Sequence, residues 1–193
     1  MTREQLAREI AKGIVNTGVE GSFDTITCST AGDYPSIGIS QWEGPRADRL
    51  LAMIPGGDQF SSRTFSDIKA AGELDDLQNL LSSDAGETAQ LEQLTNDCLS
   101  YVDALWEVSD LDQARPLIYC GIWCPTSTYV VQQFCLRRQE RGYDLRSLEC
   151  VYEMFRDEYA NAAGCGEYQE GYANRAYATY EYVETLDLSE YGE

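Results

Sequence analysis

The sequence predicts a mainly α fold with one small antiparallel β ribbon near the N-terminus, and three observations carry that prediction. Apolar residues recur at three- and four-residue spacing through most of the 193 residues. From Asp24 to Ile39 that spacing gives way to short β-branched stretches around the turn-forming "AGDYP". Helical signals then return at Pro45. A chain of this length suits a single domain over residues 1–193, with a small β-containing lobe at about 20–45 and a helical lobe for the remainder.

The elements follow in order. Residues 2–17 read as a helix: Thr2 and Gln5 have the capping-box spacing, Leu6, Ile10 and Ile14 share a face, and Gly18 is a natural stop. "DTIT" and "SIGIS" read as two short strands flanking the turn. Residues 46–54 form a helix that starts at Pro45 and closes at "PGG". Shorter helices are predicted at 66–71 and 74–82. A long one spans 88–108, with Leu91, Leu94, Cys98, Tyr101 and Leu105 as its buried stripe. Further helices are predicted at 114–122, 127–141, 145–162 and 167–186. Gly142 closes one of these and Asp144 caps the next, whose inner face is Leu148, Val151, Phe155 and Tyr159. Tyr168, Tyr172 and Tyr180 recur at helical spacing and are predicted to be half-buried.

Charge and composition exclude several functions. The formal net charge is −19, from 33 acidic against 14 basic residues, and there is no His. Nucleic acid is a poor partner for such a surface, because phosphate binding needs clustered cations. The lack of imidazole removes His-activated nucleophiles and His-ligated zinc, so carboxylates must perform any acid–base chemistry. No apolar run approaches the roughly 18–20 residues that span a bilayer. The N-terminal "MTREQLAREIAKGIVNTG" scatters charge through its apolar positions, unlike a secretory signal, so synthesis and folding in a cytoplasm are expected.

Seven cysteines stand at positions 28, 98, 120, 124, 135, 150 and 165, an odd number without a CxxC pair. Mostly free, buried thiols are expected, with Cys98, Cys135 and Cys150 as small core residues. No metal site and no cofactor are implied.

The stretch with chemical content is "VEGSFDTITCSTAGDYPSIGISQWEGP". Glu20 stands alone just past the first helix. A carboxyl half-buried at such a position has its charged form disfavoured and can donate a proton near neutrality. Glycosidic bond cleavage needs that acid over the leaving oxygen, and a second group to stabilise the oxocarbenium-like state or to position a water. A ribbon folding back past the helix end can carry the second group. Asp33, in the turn, leads; Ser36 is the other candidate, and Asp24 is nearer in sequence but suits a strand start.

These residues resemble the lysozyme-like superfamily. "EGSF … STAGDYPSIGISQ" is similar to the soluble lytic transglycosylases, and "SIGISQWEGPRADRLL" to a group of phage and Firmicute peptidoglycan hydrolases. The resemblance covers roughly residues 6–54. It implies that Glu20 is the catalytic acid and that Ser36 is the small polar residue opposite it. It matches Gly38, Gln41, Trp42, Gly44, Arg46 and Ala47 to the family's ribbon and following segment. Tyr34, Gln41 and Trp42 are the candidate sugar-contacting residues, although Gln41 also suits a buried backbone tie and Trp42 a core.

The resemblance further implies cleavage of the β-1,4 glycan strand of peptidoglycan, by hydrolysis or by lytic transglycosylation. A phage endolysin or virion-associated lysin would reach the wall without a signal peptide. Two alternatives stand beside this reading: a chitosanase or chitinase, for which an acidic cleft suits a cationic sugar, and a non-catalytic structural or adhesion module on the same fold.

Overall fold

The computed structural model describes residues 1–17, 21–29 and 31–189. It is mainly helical, with one two-stranded antiparallel sheet. The chain divides into two compact units, Glu20–Leu94 and Met1–Val19 with Thr95–Glu193. The unit bearing the ribbon therefore reaches well beyond residue 45. Among the described residues no helix is long and apolar enough to cross a membrane.

In the Glu20–Leu94 unit, β1 (Ile26–Cys28) pairs with β2 (Pro35–Ile37) in the register Ile26↔Ile37, Thr27↔Ser36, Cys28↔Pro35. The second strand is shorter than "SIGIS" suggests. Gly38 has φ +70° and Gln41 φ +48°, so residues 38–41 form a tight turn that returns Trp42 to pair with Ile37. Four helices follow. They are α2 (Pro45–Met53), α3 (Phe65–Ala71), α4 (Leu74–Leu81) and α5 (Asp84–Leu105), the last contributing its residues up to Leu94 here. Pro at the first position of α2 needs no N–H partner there. Thr64 caps α3 by accepting the Asp67 N–H. Ile37, Trp42, Leu50, Leu51, Ile68, Leu77 and Leu81 are sealed from solvent and form this core. The long helix starts four residues before the predicted 88, and Leu91 turns outward rather than joining its buried stripe.

The other unit is built on α1 (Arg3–Thr17) and α6 (Ala114–Glu140). The capping box forms: Thr2 N–H donates to Gln5 Oε1 at 2.7 Å, and Gln5 N–H to Thr2 Oγ1 at 3.3 Å. A Cβ on Gly121 would overlap the Ile10 side chain, so glycine there permits close approach of the two helices. α6 is two arms rather than one rod. Pro125 lies before the corner, Ser127 is extended (φ −173°, ψ 109°), and its hydroxyl accepts the Val130 N–H to start the second arm. Residues 120 and 135 would lie roughly 22 Å apart on a straight helix, yet their sulfurs are 3.8 Å apart. The arms therefore pack face to face.

α7 (Leu148–Met154) is capped by Ser147, which accepts the Cys150 N–H, and not by Asp144, whose carboxylate instead takes the Arg146 N–H. A π-helical turn, Phe155–Tyr159, then leads into α8 (Ala160–Ala162). The turn stacks Phe155 on Tyr159 at 4.9 Å, and Trp123 and Phe134 pack against both rings. α9 (Gln169–Glu184) completes the unit. Tyr172 and Tyr180 are half-buried as predicted, whereas Tyr168 is exposed, because it precedes α9 in a 3₁₀ turn with no buried residue.

All seven thiols are free. Cys98, Cys120, Cys124 and Cys135 are buried, Cys150 and Cys165 are half-buried, and Cys28 is exposed. Burial first, then neighbouring cysteines, pushes the Cys98 and Cys120 thiols well above the ordinary thiol range; burial acts the same way on Cys124. The buried thiols behave as small hydrophobes.

Candidate functional site

Glu20 lies outside the described residues, so the site is built from the segment that follows it. Ser22 N–H donates to Thr25 Oγ1 at 2.9 Å and Ser22 Oγ to Asp24 Oδ1 at 2.5 Å, closing a turn directly after position 20. Asp24 is thereby a turn residue. Thr25 O then accepts the Gly38 N–H at 2.8 Å, joining this turn to the ribbon.

Gln90 is the structural centre of the unit. Its side chain is fully buried. Its Oε1 accepts the Ile39 N–H at 3.0 Å, and its Nε2 donates to Phe23 O at 3.1 Å and Leu81 O at 2.9 Å. One amide thus ties the segment after Glu20, the turn of the ribbon and the end of α4 to α5. A Cβ on Gly38 would overlap the Gln90 amide oxygen, so Gly38 is needed for both its positive φ and its missing side chain.

The residues singled out in the sequence divide sharply. Gln41 is not held out toward a ligand: its Oε1 accepts from Thr27 Oγ1 and its Nε2 donates to Gly38 O, each at 2.8 Å. Both ends of the amide lock the turn. Trp42 is fully buried, so its ring is core and offers no face to a sugar. Ser36 is 4% exposed and its hydroxyl donates to Gln41 O at 3.2 Å. Asp33 is exposed, but its Oδ1 accepts both the Ser66 N–H at 3.1 Å and the Ser66 hydroxyl at 3.0 Å, and its carbonyl accepts the Phe65 N–H. That carboxylate pins the ribbon's turn to the start of α3. Tyr34 remains free to meet a ligand, at 53% exposure.

Tyr34 opens onto a cleft of about 220 Å³ within this unit. Pro45, Ala47, Leu51 and Phe60 form an apolar floor, and Asp48, Ser62, Arg63 and Thr64 supply polar groups. Asp48, which the sequence reading did not single out, accepts from Ser62 N at 2.7 Å, Ser61 Oγ at 2.9 Å and Ser62 Oγ at 3.2 Å. Burial pushes its carboxyl up, but the Ser62 amide and the two hydroxyls outweigh that and hold it below the ordinary carboxylate range. It is ionised at neutral pH. These bonds also hold Ser62 at φ +58°. Nothing local in the sequence marks Asp48, because its partners lie in a loop after α2.

Among the described residues no group of three or more Cys, Asp or Glu side chains is placed to hold a metal ion. Comparison with protein-family models, with curated proteins and with solved structures finds no match to this chain.

Proposed function

We propose that this chain cleaves the β-1,4 glycan strand of peptidoglycan on a lysozyme-like fold, with Glu20 as the general acid. The supporting observation is the fold of the stretch that follows Glu20. A closed turn at residues 22–25 leads into an antiparallel ribbon, locked by Gly38, Gln41 and Gln90 and flanked by an open cleft with an exposed tyrosine. An aromatic face beside hydroxyl, guanidinium and carboxylate groups suits a sugar, which presents apolar C–H faces and polar edges.

In this reading Glu20 protonates the glycosidic oxygen as the bond to the anomeric carbon breaks, and positive charge develops on the ring. The carbon must then be captured by a nucleophile. Ser36 is buried and committed to Gln41 O, and Asp33 Oδ1 is committed to Ser66. Those commitments favour capture by the substrate's own hydroxyl, with Glu20 taking the proton back, over a water held by a second carboxylate. The product is then a 1,6-anhydro end, and the reaction is lytic transglycosylation.

The test is release of soluble fragments from purified cell walls by wild type and by Glu20→Gln at matched concentration, with folding checked by circular dichroism. Loss of the transferable proton lowers turnover by roughly 10²-fold or more. Mass analysis of the wild-type product finds an anhydro terminus. Near-wild-type cleavage by Glu20→Gln removes the acid assignment, and a reducing terminus replaces transglycosylation with hydrolysis.

A further inference from the structure

In the Met1–Val19 and Thr95–Glu193 unit, a second pocket of about 370 Å³ is lined by Arg137, Arg138, Arg141, Glu158 and Asn161. Three arginines around one pocket are unexpected in a chain with net charge −19. Acids outnumber bases by more than two to one, so an arginine has many chances to find a carboxylate. Arg3, Arg63, Arg146 and Arg156 each do. Among the described residues, Arg137 and Arg141 have no hydrogen-bonding or ion-pair partner for their side chains, and both are exposed.

Arg138 gives the pocket a fixed wall. It is 6% exposed and its guanidinium lies 4.5 Å from the Phe134 ring centroid. Its Nη2 pairs with Glu158 Oε2 at 2.6 Å, and Tyr143 Oη donates to Glu158 Oε1 at 2.7 Å. Both carboxylate oxygens are thus engaged, Oε1 by Tyr143 and Oε2 by Arg138. Its Nε is buried and has no acceptor among the described residues. Arginines at the end of α6 also suit the carbonyl end of a helix dipole. That explains cations there, but not a buried guanidinium nitrogen left without an acceptor.

We propose that this pocket binds a dianionic oxyanion of the phosphate class. Three guanidinium groups less the one carboxylate of Glu158 leave a local charge of +2, which matches a dianion. The planar N–H forks suit tetrahedral oxyanions, each oxygen of which accepts more than one hydrogen bond. Asn161 adds an amide at the rim. The pocket holds far more than a single water. Free phosphate and a phosphate monoester carried on a larger molecule offer the same group, and the assay separates them.

The test uses the full chain at pH 8, with inorganic phosphate, glycerol phosphate and acetate titrated calorimetrically at constant ionic strength. Arg137→Gln/Arg141→Gln alters only exposed side chains, and Arg49→Gln, remote in sequence and also exposed, is the charge control. Saturable phosphate binding by wild type and Arg49→Gln, weakened about tenfold or more in the double variant, is the expected result. Tighter binding of glycerol phosphate than of phosphate identifies a monoester as the natural source, and the reverse identifies the free ion. No saturable binding to wild type, equal binding by the double variant, or acetate binding as tightly as phosphate each overturns the proposal. Glycan cleavage plays no part in the readout, so this site stands or falls separately from Glu20.

Discussion

Replacing Gln90 by Leu tests whether one buried amide holds the candidate site together. The substitution roughly conserves volume and removes three hydrogen bonds at once. The Ile39 N–H is then buried without an acceptor, which costs about 1–3 kcal/mol. The Phe23 and Leu81 carbonyls each lose a donor, at about 0.5–1.5 kcal/mol apiece. The sum is about 2–6 kcal/mol, a large part of the roughly 5–15 kcal/mol that stabilises a typical domain. Urea denaturation measures the loss, and native-state hydrogen exchange at the Ile39 amide locates it. Gly38→Ala, which drives a Cβ into the same amide oxygen, is expected to accelerate exchange at the same position. A loss below about 1 kcal/mol in Gln90→Leu, with Ile39 exchange unchanged, refutes the assignment.

Three further outcomes follow from the same structure. A thiol reagent under native conditions modifies Cys28 first, then Cys150 and Cys165 slowly, and reaches Cys98, Cys120, Cys124 and Cys135 only on unfolding; rapid native labelling of all seven contradicts the packing. Asp48 has a folded carboxyl below its unfolded value, so its stabilisation is present above the unfolded value of 3.8 and disappears as pH falls through the folded one. The stability gap between wild type and Asp48→Asn therefore narrows on acidification from about pH 6 to about pH 2, and a constant gap refutes the role. Asp33→Asn weakens the bonds to Ser66 and costs about 1 kcal/mol, yet leaves glycan cleavage within about tenfold of wild type; a loss of 10²-fold or more makes Asp33 the second catalytic group.

What the sequence reveals here is what local physics controls. The capping box at Thr2 and Gln5, proline at the start of α2 and the gap between the helices predicted at 114–122 and 127–141 each act within a few residues and are found where the pattern places them, whereas the β-branched alternation read from Asp24 gives a strand that starts only at Ile26. Thr88 is a plausible helix start, but α5 begins at Asp84 because Ser83 accepts the Gly86 N–H. Long-range polar ties leave no such trace. Gln90 reaches partners 51 and 67 positions away, and on its own helix it looks like any surface amide. Trp42 reads equally as platform or core until the turn at 38–41 folds it back onto Ile37.

The ribbon explains why the polar residues of the motif are structural. Two strands of three residues each are too short to persist unaided. Several described polar groups are drawn into bracing the ribbon. Thr27 and Gln41 close one side, Ser36 bonds back to Gln41, Asp33 anchors the turn on Ser66, and Gln90 pins the far end. Of these, Ser36 and Gln41 are the ones that the resemblance matches to the family's ribbon, yet their hydrogen bonds are spent within the unit. A mechanism that depends on few free groups fits such a ribbon best. An acid that both gives and recovers the proton, with the substrate supplying its own nucleophile, asks the ribbon only for rigidity and shape. On this reasoning the chemical nature of the released sugar terminus, rather than the loss of activity on mutation, is the measurement that connects the fold of the ribbon to the reaction.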